Sequence, residues 1–223
     1  MKISVLQFPG TNCEYDTKYA FEQLGCDVQI IWHKEKEIPS DTDLVVIPGG
    51  FSYGDYLRSG AIARFANVME SVKEFAAKGG KVLGICNGFQ ILLEAGLLPG
   101  AMKRNDSLHF ISKYHTLKVI NTDNTFLSLL NKDDVLDIPV AHHDGNYYID
   151  ANGLKELEEN NQILLKYCDK DGTLVNMNGS VSNIAGICNK EKNVFGLMPH
   201  PERAIEELLG STDGVNMLKG FLQ

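Results

Sequence analysis

A cysteine flanked by two glycines ends an apolar run near the middle of the chain. Cys86 follows Val82–Ile85, with Gly84 two positions before it and Gly88 two positions after it. Glycines at these offsets remove β-carbons that would collide in a sharp strand-turn-helix elbow. The amides that begin the following helix favour the thiolate form of the sulfur. The pattern predicts that Cys86 is a nucleophile for acyl transfer, and the alternative is a buried packing cysteine.

A histidine between two prolines is the candidate general base. His200 follows another apolar run, Pro199 and Pro201 restrict the backbone around it, and Glu202 can reach back to one of its ring nitrogens. A carboxylate in this place holds the imidazole in the tautomer that leaves the other nitrogen for a nucleophile. Combined with Cys86, the pattern predicts a Cys-His-Glu catalytic triad. The alternative is a loop histidine beside a surface carboxylate.

A glycine turn is the candidate for oxyanion binding. Gly49 and Gly50 follow the apolar run Leu44–Ile47, and their amides can face the end of a neighbouring strand. We expect the amides of Gly50 and Asn87 to form a two-donor oxyanion hole. The alternatives are a plain turn or a phosphate-binding loop. The chain lacks both the Gly-x-x-x-x-Gly-Lys-Ser/Thr string and a Gly-x-Gly-x-x-Gly fingerprint after its first strand, so we expect no ATP or dinucleotide site.

Composition and charge exclude several other classes. The 223 residues are 43% hydrophobic and 22% charged, as in an ordinary globular protein of one α/β domain. A net charge of −8 without a run rich in lysine and arginine argues against a nucleic-acid surface. Five scattered cysteines without a Cys-x-x-Cys pair favour a reducing compartment and no metal site. We expect a cytoplasmic protein, because no signal peptide or membrane-spanning stretch is evident.

Strand and helix patterns alternate through the first hundred residues. In order, the patterns predict strand Ile3–Phe8, helix Glu14–Leu24, strands Val28–Trp32 and Leu44–Ile47, helix Ala61–Lys78 and strand Val82–Ile85. This rhythm predicts a parallel sheet covered by helices on both faces. Ligands bind such sheets outside the carboxyl ends of the strands, where Cys86 and the Gly49-Gly50 turn both lie.

The second half of the chain has shorter runs that are rich in β-forming residues. Between about 108 and 149 these runs predict mixed or antiparallel strands added to the main sheet. Further elements are expected at helix Leu154–Asn160, strands Ile163–Cys168, Ile184–Cys188 and Val194–Met198, and helical segments Ala204–Leu209 and Val215–Leu222. The predicted fold is α/β, with a mostly parallel central sheet flanked by helices and with added antiparallel strands.

Together these motifs resemble a known family. The elbow Gly84–Gln90 and the stretch Pro199–Glu202 resemble the class I, or triad, glutamine amidotransferases, which have a flavodoxin-like fold. The string Pro48–Ala61 and the start Phe8–Glu14 resemble, more narrowly, the glutaminase subunits of phosphoribosylformylglycinamidine synthase in purine biosynthesis. The resemblance covers nearly the whole chain and implies a single glutamine amidotransferase type 1 domain over residues 1–223.

The resemblance implies a mechanism. Cys86 attacks the side-chain carboxamide of glutamine, and the amides of Gly50 and Asn87 hold the oxyanion. His200 protonates the departing ammonia and then activates water to hydrolyse the γ-glutamyl thioester, while Glu202 orients His200. One helical turn beyond the cysteine, the side chain of residue Gln90 is expected to contact the substrate glutamine.

The resemblance also implies partners. In the family, ammonia passes to a separate synthetase subunit, which uses ATP and magnesium to convert formylglycinamide ribonucleotide to formylglycinamidine ribonucleotide, and a small accessory subunit completes the complex. The present chain is expected to bind no cofactor itself. Its loop Phe51–Arg58 is our candidate for part of the interface. The family more often has Gly-Glu where this chain has His143-Asp144, a departure that concerns substrate or partner contacts rather than the triad.

Two other functions are open at this stage. A stand-alone cysteine hydrolase or chaperone of the PfpI/DJ-1-like class would share the sheet and the elbow. Such proteins usually carry a histidine directly after the nucleophile, where this chain has Asn87, and they lack a Pro-His-Pro-Glu stretch. A catalytically silent binding subunit is the second possibility, and the presence of Cys86, His200 and Glu202 argues against it.

Overall fold

Eleven strands and five α-helices follow one another in the computed structural model, which describes residues 1–223. They are β1 Lys2–Gln7, α1 Glu14–Gln23, β2 Asp27–Trp32, β3 Leu44–Ile47, α2 Val68–Ala77, β4 Lys81–Ile85, α3 Asn87–Glu94, β5 Ala101–Lys103, β6 Ile111–Val119, β7 Val135–His142, β8 Asn146–Tyr148, α4 Ala151–Glu159, β9 Ile163–Cys168, β10 Ile184–Cys188, β11 Val194–Leu197 and α5 Gly214–Lys219. The strands predicted in the first half are present within one residue of their expected bounds. None of the helices has the length and apolar character that a membrane crossing requires.

The central sheet has nine strands in the order β2-β1-β3-β4-β11-β10-β9-β6-β7. The strands from β2 to β11 are parallel neighbours, and the remaining four continue the sheet with antiparallel pairing. This arrangement confirms the predicted α/β class with added antiparallel strands. The short strands β5 and β8 form a separate antiparallel pair that the sequence patterns did not predict.

Three parallel strands end side by side at one edge of the sheet. In the pairing, Ile47 of β3 lies opposite Gly84 of β4, and Leu197 of β11 lies opposite Ile85 of β4. Nearly every residue of these strands is buried, as expected for parallel strands that are covered on both faces, which is why they read as continuous apolar runs. The loops after β3, β4 and β11 therefore begin next to one another.

The two glycines of the elbow allow α3 to pack directly on the sheet. A β-carbon on Gly88 would lie 1.8 Å from the carbonyl oxygen of Ile47, and one on Gly84 would lie 2.7 Å from the carbonyl of Gly88. Backbone atoms cannot move away from such a contact without shifting the strand or the helix. Glycine is therefore required at both positions, as the spacing around the cysteine predicted.

The predicted helix Ala61–Lys78 is wrong over its first turns. The chain forms a 3₁₀ turn at Ala63–Phe65, becomes extended at Ala66, and begins α2 only at Val68. The guanidinium of Arg64 donates a hydrogen bond to the backbone carbonyl of Glu94, which ties the turn to α3. Phe65 is 73% exposed, although a continuous amphipathic helix would have placed it on the same apolar face as Val68 and Val72. The apparent helical period thus spans two separate elements.

The predicted helical segment Ala204–Leu209 is also mostly wrong. Glu206 is extended and pairs with Ser211 in an isolated antiparallel bridge, so only Glu207–Leu209 forms a 3₁₀ turn. By contrast, α4 begins three residues earlier than expected. Its first turn is stabilised by the Asp150 carboxylate, which accepts a hydrogen bond of 2.7 Å from the Gly153 amide.

Candidate active site

Cys86 occupies a strained backbone conformation between β4 and α3. Its φ of 51° and ψ of −105° lie outside the regions that L-residues ordinarily adopt. The conformation is held from both sides, because its amide donates to the carbonyl of Leu197 at 2.8 Å and its carbonyl accepts from the amide of Gln90 at 3.2 Å. Such strain costs about 1–3 kcal/mol and is concentrated at functional sites. The thiol lies 3.5 Å from the carbonyl oxygen of Ala141.

His200 and Glu202 form a buried pair at the end of β11. The Nδ1 atom of His200 lies 2.7 Å from the Oε1 atom of Glu202, and both side chains are almost completely shielded from solvent. The backbone amide of His200 donates to the carbonyl of Pro139 at 2.8 Å, which fixes the turn against β7. The Nε2 atom of the ring has no hydrogen-bond partner. The pair therefore presents one committed nitrogen and one free nitrogen, as a general acid-base requires.

Opposing influences set the protonation of His200. Burial alone lowers the pKa of the ring, but the negative charges of Glu202 and of a Cys86 thiolate raise it, and the neighbouring sulfurs of Cys13 and Cys86 act in the same direction. The net result is a pKa well above the ordinary histidine value. A raised pKa favours an imidazolium ring at neutral pH, ready to donate a proton.

The glycine turn after β3 lies against both catalytic candidates. A β-carbon on Gly49 would lie 2.7 Å from Cε1 of His200 and 3.5 Å from Cβ of Cys86. Gly50 has a φ of 142°, and its amide makes no hydrogen bond within the protein. Asn87 is the first residue of α3, and first-turn amides have no partner inside their own helix. Both predicted oxyanion donors are thus available at this edge of the sheet.

A cavity of about 170 Å³ joins these groups. Gly50, Cys86 and His200 line it together with the aromatic rings of Phe51 and Phe110. The ring centroids of the two phenylalanines are 6.5 Å apart, which places them as neighbours at its rim. The sequence-predicted nucleophile, acid-base and first oxyanion donor therefore line one cavity of the size of a small substrate group.

The side chains of Asn87 and Gln90 hydrogen-bond to each other and to the backbone of two neighbouring loops. The Oδ1 atom of Asn87 accepts from the backbone amide of Ser52 at 3.1 Å, and its Nδ2 atom donates to Oε1 of Gln90 at 2.8 Å. The Nε2 atom of Gln90 donates to the carbonyl of Asp144 at 2.6 Å. These bonds leave one amide hydrogen and one oxygen lone pair of Gln90 uncommitted, and its contact with substrate stays a prediction.

The adjacent histidines at the end of β7 differ in burial, because the ring of His142 is buried and that of His143 is partly exposed. His142 bonds through Nδ1 to the side chain of Asn105, and burial, together with the charge of His200, lowers its pKa to about 4. His143 bonds to the carboxylate of its neighbour Asp144 at 2.8 Å. Neither ring lines the cavity that holds Cys86.

Sequence reasoning missed a second thiol at the site. Cys13 follows β1, lines the same cavity and accepts a hydrogen bond of 3.0 Å from Nη2 of Arg203. The Nε atom of Arg203 also donates to Asp16 at 3.0 Å, which ties the histidine turn to α1. The segments that contain Cys13 and Arg203 both follow parallel strands. This shared placement is the feature of the sequence from which their proximity could have been predicted.

Three of these groups are also of metal-binding types. Cys13, His200 and Glu202 bring possible ligand atoms within 4.8 Å of one another. The guanidinium of Arg203 lies against the Cys13 sulfur and opposes a cation there, and Nδ1 of His200 is already committed to Glu202. The donor set therefore fits acid-base chemistry better than a resident metal ion.

Two carboxyl groups face each other beneath the loop that follows the glycine turn. Asp55 accepts a long hydrogen bond from Asn87, and Asp144 accepts a bond of 2.8 Å from the hydroxyl of Ser59. Burial and the charge of Asp144 raise the pKa of Asp55 to about 6. The loop therefore contains a carboxyl group, that of Asp55, whose charged form is disfavoured in the folded protein.

This pair predicts that Asp55→Asn stabilises the protein at neutral pH and has little effect near pH 4. Because the folded pKa of about 6 exceeds the ordinary 3.8, the folded state binds more protons than the unfolded state between these values. Wild-type stability must therefore fall as the pH rises through that window. After allowance for partial solvent exposure, we expect a gain of about 1 kcal/mol at pH 7.5 in urea unfolding.

The exposed residue Asp27 provides a matched control for this measurement. Asp27→Asn removes a carboxylate from the surface and should change the free energy of unfolding similarly at both pH values. An equal effect of Asp55→Asn at pH 4 and pH 7.5 would contradict the assigned pKa. A loss of stability at pH 7.5 would show that the charged form of Asp55 supports the loop.

Comparisons with known proteins agree with this geometry. Residues 1–215 match the family model of the CobB/CobQ-like glutamine amidotransferase domain. The chain is 68% identical over 223 residues to the phosphoribosylformylglycinamidine synthase subunit PurQ of Sulfurimonas denitrificans, with 100% of both chains covered. It is 62% identical to the corresponding subunit of Wolinella succinogenes, with 99% of both covered. A solved structure of PurLQS from Thermotoga maritima superposes with a TM-score of 0.89 at 40% identity, covering 99% of this chain and 97% of that one.

Proposed function

Because the chain belongs to the glutamine amidotransferase family, among the PurQ subunits of phosphoribosylformylglycinamidine synthase, we propose that Cys86, His200 and Glu202 form its catalytic triad. Its function is to release ammonia from glutamine for that synthase, in purine biosynthesis. The observation that supports these residue roles is the strained cysteine beside a buried histidine-carboxylate pair at one sheet edge. The proposal includes a single glutamine amidotransferase domain over residues 1–223.

In the first half of the reaction the glutamine side chain is transferred to sulfur. The Cys86 thiolate attacks the carboxamide carbon, and the negative charge that develops on oxygen is held by the amides of Gly50 and Asn87. Imidazolium His200 gives its Nε2 proton to the amide nitrogen. The carbon-nitrogen bond breaks, ammonia leaves, and a γ-glutamyl thioester remains on Cys86. Because the charge of Glu202 raises the pKa of His200, the ring carries this proton at neutral pH.

In the second half water replaces sulfur. His200, now neutral, takes a proton from a water molecule, and the oxygen attacks the thioester carbon. The same two amides hold the second oxyanion, and its collapse releases glutamate and returns the Cys86 thiolate beside the imidazolium. Glu202 keeps Nδ1 of His200 protonated throughout, so that Nε2 does the proton transfer in both halves.

The chain's own residues supply every step without a cofactor. In our proposal ATP and magnesium belong to a separate synthetase subunit of PurL type, and a small accessory subunit of PurS type completes a cytoplasmic complex. The name PurLQS of the similar Thermotoga maritima structure supports a synthetase partner. A stand-alone PfpI/DJ-1-like hydrolase or chaperone is not favoured, because the match to PurQ subunits covers the whole chain. A catalytically silent binding subunit is not favoured, because Cys86, His200 and Glu202 are all present at the site.

The cavity opens within an apolar surface that we define here as the rim. Exposed large apolar side chains of the rim are Phe51, Tyr56 and Leu57 of the loop after the glycine turn, together with Phe110 beside Phe51. The loop carrying the first three contains non-glycine residues with positive φ at Tyr53, Asp55 and Leu57, so its apolar tip is held outward by a specific backbone shape. Exposed apolar patches of this kind mark protein interfaces. A partner seated on the rim would receive ammonia without loss to water.

Glutamate release by the full chain, measured alone and with the candidate synthetase and accessory subunits, tests this proposal. Leu57→Ser removes a rim side chain that is 88% exposed, and Leu208→Ser removes one that is 91% exposed outside the rim. We expect Leu57→Ser to weaken partner binding about tenfold and to reduce partner-stimulated activity, because central apolar anchors dominate interfaces. Leu208→Ser should behave like wild type. Equal effects of the two variants would remove the rim from the interface, and no activity with bound partners would contradict the catalytic assignment.

A further inference from the structure

The cavity holds a second buried thiol that the proposed mechanism does not use. Cys13 and Cys86 both line it, and both are nearly inaccessible to solvent. A β-carbon at Gly49 would lie 3.0 Å from Sγ of Cys13 and 3.5 Å from Cβ of Cys86, so the two residues approach the same point. The Cε1 atom of His200 would lie 2.7 Å from the same β-carbon, so the imidazole ring adjoins both cysteines and Gly49 places no side chain among the three. The remaining cysteines, Cys26, Cys168 and Cys188, do not line this cavity.

The topology explains why two cysteines that are distant in sequence meet here. Cys13 follows β1 and Cys86 follows β4, the strands on either side of β3 in the sheet. The loop of Cys13 is tied to the glycine turn, since its amide donates to the carbonyl of Gly49 at 3.3 Å. A disulfide requires β-carbons about 4 Å apart. Cys13 lies in the loop between β1 and α1, so the bond requires this loop to move toward Cys86 past Gly49.

The surroundings of Cys13 suit it to exchange a proton. The guanidinium of Arg203 donates to its sulfur at 3.0 Å, and His200 lies on its other side. Burial raises the pKa of the Cys13 thiol, while His200 and Arg203 act in the opposite direction. His200 thus adjoins both thiols and, once it has given up its own proton, can accept one from Cys13.

We propose that Cys13 and Cys86 form a reversible disulfide when the protein meets a hydroperoxide, and that this modification switches glutamine hydrolysis off. The proposal rests on the proposed function only for its activity readout, because the disulfide itself can be detected by mass. It assigns Cys13 as a resolving thiol, which returns an oxidised nucleophile to a recoverable state.

The chemistry balances with hydrogen peroxide as the oxidant. The Cys86 thiolate attacks one peroxide oxygen and the oxygen-oxygen bond breaks. The departing hydroxide takes the proton of imidazolium His200 and becomes water, so that Cys86 carries a sulfenic acid and His200 is neutral. The Cys13 thiol gives its proton to His200, and its sulfur attacks the sulfenyl sulfur of Cys86. A sulfur-sulfur bond forms, and the hydroxyl of the sulfenic acid leaves as water with a proton returned by His200. In total, two thiols are oxidised by two electrons and one peroxide is reduced to two waters.

Peptide mapping under non-reducing conditions tests the proposal directly. The full chain, with its partner subunits, is treated with a small excess of hydrogen peroxide, and half of each sample then receives dithiothreitol. In wild type we expect a peptide pair joined through Cys13 and Cys86 that is lighter by two hydrogen atoms. We also expect activity to fall about tenfold and to return to near its starting level with the thiol reagent.

Variants of Cys13 separate this mechanism from simple oxidation. In Cys13→Ser and Cys13→Ala, each compared with its own untreated activity, peroxide inactivation should no longer be reversed, and Cys86 should carry a sulfinic acid. Cys26→Ser, a buried cysteine outside the cavity, should behave like wild type. Recovery of the Cys13 variants by dithiothreitol, or absence of the joined peptide in wild type, would overturn the proposal. A joined peptide in a chain without glutaminase activity would leave the disulfide standing and remove the proposed function.

Discussion

Replacing Cys86 with glycine should abolish glutamine hydrolysis and at the same time stabilise the protein. Activity should fall on the order of 10³-fold or more, because no other group of the elbow can form the thioester. The backbone at this position has φ 51° and ψ −105°, a conformation that glycine adopts freely and other residues do not. Relief of strain minus the entropy cost of glycine leaves a gain of about 1 kcal/mol, or a rise in Tm of about 2–4 °C.

Two matched variants separate the chemical effect from the backbone effect. Cys86→Ala removes the thiol but keeps the strain, so it should be as inactive as the glycine variant without its gain in stability. Cys188→Gly places glycine in a buried strand with ordinary geometry and should destabilise the protein. If the glycine and alanine variants of Cys86 have equal melting temperatures, the strain is absent. Residual activity near wild type in either one would remove Cys86 from the mechanism.

Replacing Glu202 with glutamine should lower activity by a factor of about 10²–10⁴ while leaving the fold intact. The amide of glutamine preserves the size of the side chain but removes the charge that holds Nδ1 of His200 protonated. Burial of the ring is then opposed by less negative charge, so the pKa of His200 falls. Because the imidazolium form donates its proton to the amide nitrogen that leaves as ammonia, the alkaline limb of the pH-rate profile should move to lower pH.

Glu206→Gln is the control for Glu202→Gln. Glu206 lies four residues further along the chain, in the extended stretch after the histidine turn, and it is only half-buried. Its replacement should leave both the rate and the pH profile unchanged, and urea unfolding should show that both variants fold. A loss of activity in Glu202→Gln with an unshifted alkaline limb would mean that Glu202 serves only as a packing group.

The sequence predicted the parts of the fold that follow from local pattern. The runs Leu44–Ile47 and Val82–Ile85 lie in strands that are buried on both faces, so their apolar character marks them directly. The glycines around Cys86 are dictated by backbone contacts within one elbow, and such short-range geometry leaves a readable signature. The parallel rhythm then placed Cys86 and Gly50 at one sheet edge without any knowledge of the tertiary structure.

Features that depend on distant contacts could not be read in the same way. The bond between Arg203 and Cys13 joins residues far apart in the chain, and neither has a distinctive local pattern. The apolar period that includes Phe65 fits one helix as well as it fits two elements, and the extended backbone of Ala66 that separates them has no marker in the sequence pattern. The side-chain bonds of Gln90 likewise involve Asp144 from another part of the chain, so its spacing from the cysteine alone did not show that its amide is already engaged.

The central claim is that Cys86 attacks the carboxamide of glutamine, and covalent labelling tests it most directly. The full chain, bound to its synthetase and accessory subunits, is incubated with a chloroketone analogue of glutamine, and the modified residue is found by peptide mass mapping. We predict one label per chain, on Cys86, and protection by an excess of glutamine. The neighbouring thiol of Cys13 provides an internal comparison in the same cavity. A label on Cys13 with Cys86 unmodified, or labelling that glutamine does not prevent, would contradict the claim.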